Sequence, residues 1–367
     1  MKNVCIIVKD EVSVRNGGEV AVLDAFYLSG YAFKEIRILS QADKETLASA
    51  VLSLKAEYEN ILILAEKSVL PMIRSYFSAS FGNTTMVTNF GVAGIFADKR
   101  CSLFLLSADN SETGVGFVKN VCVGYLQNKY GLRFEEIVVR ALGASEARVR
   151  SLLIEAERRA DGKIAFNRVR KYDEDVISIV YNSNTPKMLV DDVLRLFAEG
   201  LGDTVYALND ISLEEQLITL LKLRNKKLSV AESFTGGGVA RRITSVSGAS
   251  AVYFEGINAY NEKAKINRLG VSEYGLRTVG AVSDQTAYEM ALGLLNTGDC
   301  DVAIATTGLA GPQTDKSLLP VGLCYVAVGT KERICVYRYK FDGDRQEITE
   351  KGINYALFMA YRLLKNM

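Results

Sequence analysis

Apolar runs of strand length alternate with amphipathic segments through the first 130 residues. VCIIV (4–8), ILIL (61–64) and SLFLLS (102–107) are unbroken apolar runs, the signature of strands buried on both faces. Between Lys44 and Tyr58, Leu47, Val51, Leu54 and Tyr58 recur at i, i+4, i+7 and i+11, which predicts a helix with one apolar stripe. Residues 1–130 therefore read as an α/β domain built on a parallel sheet.

The pattern changes after residue 130. Ser145 is placed to cap a helix over Glu146–Arg159, with Val149, Leu152, Leu153 and Ala156 as its stripe. Two strand-like runs follow, Ile164–Val169 and Val176–Tyr181, with the polar stretch Lys171–Asp175 as the turn between them. A second helix starts after Pro186, with Leu189, Val193, Leu196 and Phe197 facing inward, so 131–208 reads as a small α+β unit. From Ser212 a helix to Arg224 and the strand KLSVAES restore the α/β alternation, making 209–367 a third domain.

Composition narrows the chemistry. The 367 residues contain no histidine and no tryptophan. Imidazole-dependent nucleophile systems and helical His pairs for zinc are therefore excluded. The 44 Lys+Arg and 43 Asp+Glu residues leave a net charge of +1, which supplies no bulk attraction for nucleic acid or anionic membrane. Six scattered cysteines form no CxxC pair, and no apolar stretch reaches membrane-spanning length. A cytoplasmic protein acting on a small molecule, without metal or cofactor, is the expectation.

The candidate chemistry lies in the last domain. LSVAESFTGGGVARRI sets Glu232, Ser233 and Thr235 directly after a buried strand, with Gly236, Gly237 and Gly238 opening a helix. Such a turn can aim backbone N–H groups at a phosphate or a developing oxyanion, and a plain strand-to-helix turn would leave the same pattern. AIATTGLAGP repeats the logic with Thr306, Thr307, Gly308 and Gly311, and LLPVGLCYVAV adds a third glycine-bearing strand end. Ligands in open α/β sheets sit beyond the carboxyl ends of strands, so these loops define one crevice. Between them, AYNEKAKINRLGV carries Tyr260, Lys263 and Lys265. A serine nucleophile without histidine needs another base, and a desolvated lysine can serve. On spacing alone either lysine is equally well a solvated surface charge.

The strings AESFTGGG, YNEKAK with LGV, GAVSDQTA, TTGLAGP, PVGLCYVAV and FDGDR occur in the order found in the CinA C-terminal domain family, and Ser212–Leu364 resembles it. The resemblance implies hydrolysis of the carboxamide of nicotinamide mononucleotide by a metal-free serine/lysine mechanism. It makes Ser233 the nucleophile and Lys265 the base, with Tyr260 beside them. Glu232, Thr235, Gly236, Gly237, Thr307, Gly308 and Arg345 become substrate-binding positions, and the glycine turn becomes the oxyanion site. Phe234 stands where the family usually has Cys, Lys263 where it has Glu, Leu319 where Lys is common and Thr349 where many members carry Arg. These departures imply a narrower pocket mouth and weaker phosphate binding.

Residues 131–208 resemble the small KH-related middle domain of full-length members, without a nucleic-acid clamp, and residues 1–130 a molybdopterin-binding-like (MoCF) domain with eroded motifs. Asp10 and Glu11 remain of its GDE motif, Glu66 and Lys67 replace glycines, and 106–112 replaces its proline-glycine loop. The resemblance thus implies an N-terminal domain without the pyrophosphatase activity of intact relatives, and a homodimer or larger homo-oligomer without direct nucleic-acid binding. Two alternatives stand beside it: a non-catalytic nucleotide-binding or interaction protein in competence or DNA-damage responses, and an amidase for another carboxamide.

Overall fold

The computed structural model describes residues 1–9, 18–40, 44–80, 83–86, 93–107, 109–313 and 319–367. Asp10 and Glu11 lie outside the described residues, as does Ala108 of the 106–112 loop. The chain divides into two compact units. One comprises Met1–Ile137, Glu155–Asn167 and Ser178–Leu194; the other comprises Val138–Ile154, Arg168–Ile177 and Arg195–Met367. The segment 131–208 thus contributes to both.

The first unit contains a six-stranded sheet of β1 (Asn3–Lys9), β2 (Glu35–Ser40), β3 (Asn60–Ala65), β4 (Asn83–Met86), β5 (Gly94–Ala97) and β6 (Ser102–Ser107), in the order β2-β1-β3-β6-β5-β4. The three apolar runs form β1, β3 and β6, which lie side by side and parallel. Ile6 and Ile63 face one layer, where Leu47, Val51 and Leu54 of the helix Lys44–Lys55 cover them. Cys5 and Leu62 face the other, against Phe26 and Phe117. The antiparallel ribbon of β4 and β5 is an addition to the parallel sheet that periodicity predicts. At the carboxyl end of β3, the Lys67 N–H donates to the Asp109 carboxylate at 2.8 Å.

Residues 134–207 carry a four-stranded sheet of β7 (Phe134–Leu142), β8 (Ile164–Lys171), β9 (Glu174–Asn182) and β10 (Val205–Ala207), ordered β10-β7-β9-β8. The helices Glu146–Ala160 and Lys187–Leu201 fall where the apolar stripes put them.

The second unit holds the sheet that positions the candidate chemistry: β11 (Leu228–Glu232), β12 (Tyr253–Asn258), β13 (Val302–Gly308), β14 (Leu323–Gly329) and β15 (Ile334–Lys340), ordered β12-β11-β13-β14-β15. β12, β11 and β13 are parallel, whereas β14 runs antiparallel to both of its neighbours, β13 and β15. Its two faces differ in kind. Leu228, Val230, Val302, Ile304, Val326 and Val328 pack against the helices Leu213–Leu223 and Arg345–Lys365. Ala231, Ala303, Ala305 and Ala327 face the helix Asp284–Asn296, whose Ala287, Met290, Ala291 and Leu294 are buried against them. Period-2 alternation thus separates a branched-aliphatic layer from an alanine layer. Because β14 is antiparallel, PVG stands before its strand rather than after one, yet at the same end of the sheet as the carboxyl end of β13. No helix among the described residues is long and apolar enough to cross a membrane.

Candidate active site

Strand β11 delivers Ser233 to the rim of the sheet. The Ser233 N–H donates to the Thr306 carbonyl at 3.1 Å and the Ala259 N–H to the Glu232 carbonyl at 2.8 Å, extending both parallel ladders by one rung. The chain then turns through Gly236 (φ 62°) and Gly237 (φ 92°), left-handed conformations that favour glycine, before the helix Gly238–Thr244. Thr235 Oγ1 and Thr306 Oγ1 share a 2.7 Å hydrogen bond beneath this turn.

Glu232 is fully buried, and its carboxylate accepts from the N–H groups of Gly237 (3.1 Å), Val239 (3.0 Å) and Ala240 (2.8 Å). The positive end of the helix is therefore neutralised from within the chain. The Gly236 N–H donates to the Ser233 carbonyl and the Gly238 N–H to that of Thr235. The glycine amides expected at an oxyanion are thus already engaged. Among the described residues, the backbone N–H groups of Phe234 and Thr235 have no partner.

Strand β12 leads into the short helix Glu262–Leu269, whose first turn is capped by Asn261. Lys265, one turn in, points back toward β11. Its ammonium donates to Ser233 Oγ at 2.9 Å, to the Ala259 carbonyl at 2.7 Å and to the Tyr260 carbonyl at 3.5 Å. Lys265 is only 1% exposed and Ser233 8%. Burial lowers the Lys265 pKa to about 8, with the neighbouring charge of Glu262 opposing the shift. Once neutral, Nζ retains two N–H bonds for the two carbonyls and a lone pair directed at the Ser233 hydroxyl. Lys263, by contrast, is exposed.

The pair opens into a cavity of about 360 Å³, lined also by Phe234, Glu262, Ala281–Val282, Thr307–Gly311, Gln313 and Arg345. That volume suits a small organic ligand. Thr307 Oγ1 donates to the Ala281 carbonyl at 2.6 Å, so its oxygen can offer only lone pairs to a ligand. Tyr260 is 61% exposed at the rim, and its phenolic oxygen accepts from Arg345 Nη2 at 3.1 Å rather than reaching Ser233 or Lys265. Arg345 Nη1 donates to the Gly311 carbonyl at 2.6 Å, tying the TGLAGP loop to Tyr260. Phe234 is 5% exposed in a cluster with Ala310, Cys324, Phe341 and Ile348, where it anchors the turn in addition to lining the cavity. Among the described residues no three His, Cys, Asp or Glu side chains come together as a metal site.

The structure therefore brings Ser233, Tyr260, Lys265, Thr307, Gly308 and Arg345 to one cavity and turns the side chains of Glu232 and Thr235 away from it into the fold. Glu262 and the Ala281–Val282 wall also line the cavity, positions that the sequence motifs do not single out. The i, i+3 spacing of Glu262 and Lys265 was a signal for the first, and GAVSDQTA contained the second.

A family model for the CinA C-terminal domain matches residues 210–364, a span that contains every residue of the cavity. Two curated relatives carry the name "Putative competence-damage inducible protein". The one from Thermoanaerobacter sp. (strain X514) is 30% identical over 353 residues, covering 88% of this chain and 80% of that protein. The one from Caldicellulosiruptor saccharolyticus is 39% identical over 180 residues, which is 49% of this chain and 44% of that protein's length. Among solved structures, a competence-damaged protein (CinA) superfamily protein from Enterobacter cloacae is 31% identical, with a TM-score of 0.41 over 43% of this chain and 96% of that one.

Proposed function

Since the chain belongs to the CinA family, we propose that it is an amidase that converts nicotinamide mononucleotide to the corresponding carboxylate and ammonia. The observation that carries the reading is the buried 2.9 Å contact of Lys265 Nζ with Ser233 Oγ at the wall of a ligand-sized cavity.

In the reaction, neutral Lys265 takes the proton from Ser233 Oγ as the oxygen attacks the carboxamide carbon. The carbonyl oxygen becomes an oxyanion, for which the free N–H groups of Phe234 and Thr235 are the donors at hand. Collapse of the tetrahedral adduct breaks the C–N bond, and Lys265 returns its proton to the departing nitrogen, which leaves as ammonia. Water then attacks the acyl-serine, giving its proton to Lys265, and the Ser233 oxygen recovers that proton as the carboxylic acid is released. Arg345 at the rim is the cation available to the substrate phosphate, and Thr307 an acceptor for the carboxamide N–H.

In the N-terminal unit, Glu66 and Lys67 occupy a strand end where glycines would admit a phosphate, and the Lys67 N–H is already bonded to Asp109. We infer that this unit does not hydrolyse ADP-ribose; metal-dependent cleavage of ADP-ribose by the full chain would contradict this.

Ammonia release from nicotinamide mononucleotide tests the main reading. Ser233→Ala and Lys265→Ala are each expected to lose about a thousandfold or more, and the double variant little further, since the two act as a unit. Near-normal rates in either variant, or no ammonia from folded wild type, would overturn it.

A further inference from the structure

Glu262 supplies the one carboxylate that lines the cavity among the described residues. It sits three residues before Lys265 on the helix Glu262–Leu269, so the two side chains share a face with Cβ atoms about 5–6 Å apart. Its negative charge is felt at Lys265, where it opposes the effect of burial. The other charges at the wall do not cancel it. Above its pKa of about 8, where it can act as the base, Lys265 carries no charge, and the Arg345 guanidinium is directed to Gly311 and Tyr260.

A carboxamide carbon placed against Ser233 Oγ puts its attached ring beside Lys265, and therefore beside Glu262. A neutral ring gains nothing from a carboxylate there and loses some of the carboxylate's hydration. A ring with a fixed positive charge gains a Coulombic attraction to it. We propose that Glu262 is a specificity-determining residue that makes this cavity select carboxamides carried on a cationic, N-substituted pyridinium ring over neutral aromatic amides. This deepens the amidase reading of the same cavity and rests on it for the orientation of the ring.

The test uses two probes of nearly identical shape: 1-methylpyridinium-3-carboxamide and its neutral isostere, 3-methylbenzamide. Binding of each to the full-length Ser233→Ala protein is measured by calorimetry with Glu262 intact and as Glu262→Gln or Glu262→Asp. Glu262 is exposed in the first helical turn, so these variants are expected to fold, which circular dichroism checks. Binding is measured at about pH 9.5, above the Lys265 pKa of about 8, so that Lys265 is neutral with or without the Glu262 charge. The cation is expected to bind about tenfold tighter than the isostere, with the preference retained by Glu262→Asp and lost in Glu262→Gln. A preference that survives Glu262→Gln, or an absence of binding by either probe, would overturn the proposal. Ammonia release is measured separately: a silent wild type with an intact Glu262-dependent preference would sink the amidase reading alone.

Discussion

The ring of Phe234 lies against Gly352 of the C-terminal helix so closely that a Cβ at position 352 would overlap its Cζ and Cε2 atoms. Phe234 directly follows the serine, so this contact fixes the turn from behind. Gly352→Ala should cost about 1–3 kcal/mol of stability and lower kcat, because the ring must move and carry the turn with it. Phe234→Val in the same background should recover part of both. A double-mutant cycle in urea should return a coupling of about 1 kcal/mol or more, whereas additive costs would mean that the helix yields instead of the ring.

The pKa of Lys265, about 8, gives activity a pH dependence with a defined sign. The base must be neutral, so kcat/KM should rise through pH 8 and level off above it. Glu262→Gln removes a charge that raises this pKa, and should move the limb to lower pH. A limb unmoved by that substitution would separate it from Lys265.

Stability should follow the same group. Below about pH 8 the fold holds a buried ammonium, while between about 8 and 10.4 the unfolded chain keeps a proton that the fold has released. Stability therefore rises with pH across that window, by up to about 3 kcal/mol in the limit of the full shift. Lys265→Met removes the dependence. Its unfolding free energy relative to wild type should be most favourable near pH 7 and should decline steadily toward pH 10, as chemical denaturation at several pH values would reveal.

Glu232 bonds three N–H groups, so its removal should be felt structurally before it is felt by substrate. Glu232→Ala should lower unfolding free energy by about 3 kcal/mol, because several donors at a buried helix end lose an ionised partner. Comparable stability with a raised KM alone would instead mark it as a substrate contact.

Tyr260 and Arg345 separate cleanly. The Tyr260 phenol meets Arg345 rather than the Ser/Lys pair, so Tyr260→Phe should keep kcat within about threefold. Arg345→Ala loses a cation at the rim and should raise KM for the phosphorylated substrate about tenfold, with a smaller effect on the corresponding nucleoside. A collapse of kcat in Tyr260→Phe would restore the phenol to the chemistry.

Residues whose role follows from local pattern were the legible ones. Continuous apolar runs located β1, β3 and β6, and a strand followed by glycines located Ser233. Lys265 was harder, since spacing left it equivalent to Lys263. What separates them is burial at the Ser233 turn, a tertiary fact produced by the parallel pairing of β11 with β12. The three backbone partners of Glu232 are hidden for a similar reason, since a carboxylate beside a glycine turn reads from sequence as a ligand contact. The antiparallel course of β14 was equally hidden, because an isolated apolar run carries no direction.

The alanine layer of the second unit's sheet acts as a gauge. Ala231, Ala303, Ala305 and Ala327 set how near the helix Asp284–Asn296 can lie to the strands, and that helix continues directly from the Ala281–Val282 wall of the cavity. One added methyl group in this layer would change no residue that meets the ligand, yet it would widen the spacing from which the cavity takes its width. The calibre of the site is thus written into side chains that the ligand never touches, and drift at these four alanines should alter substrate choice before it alters chemistry.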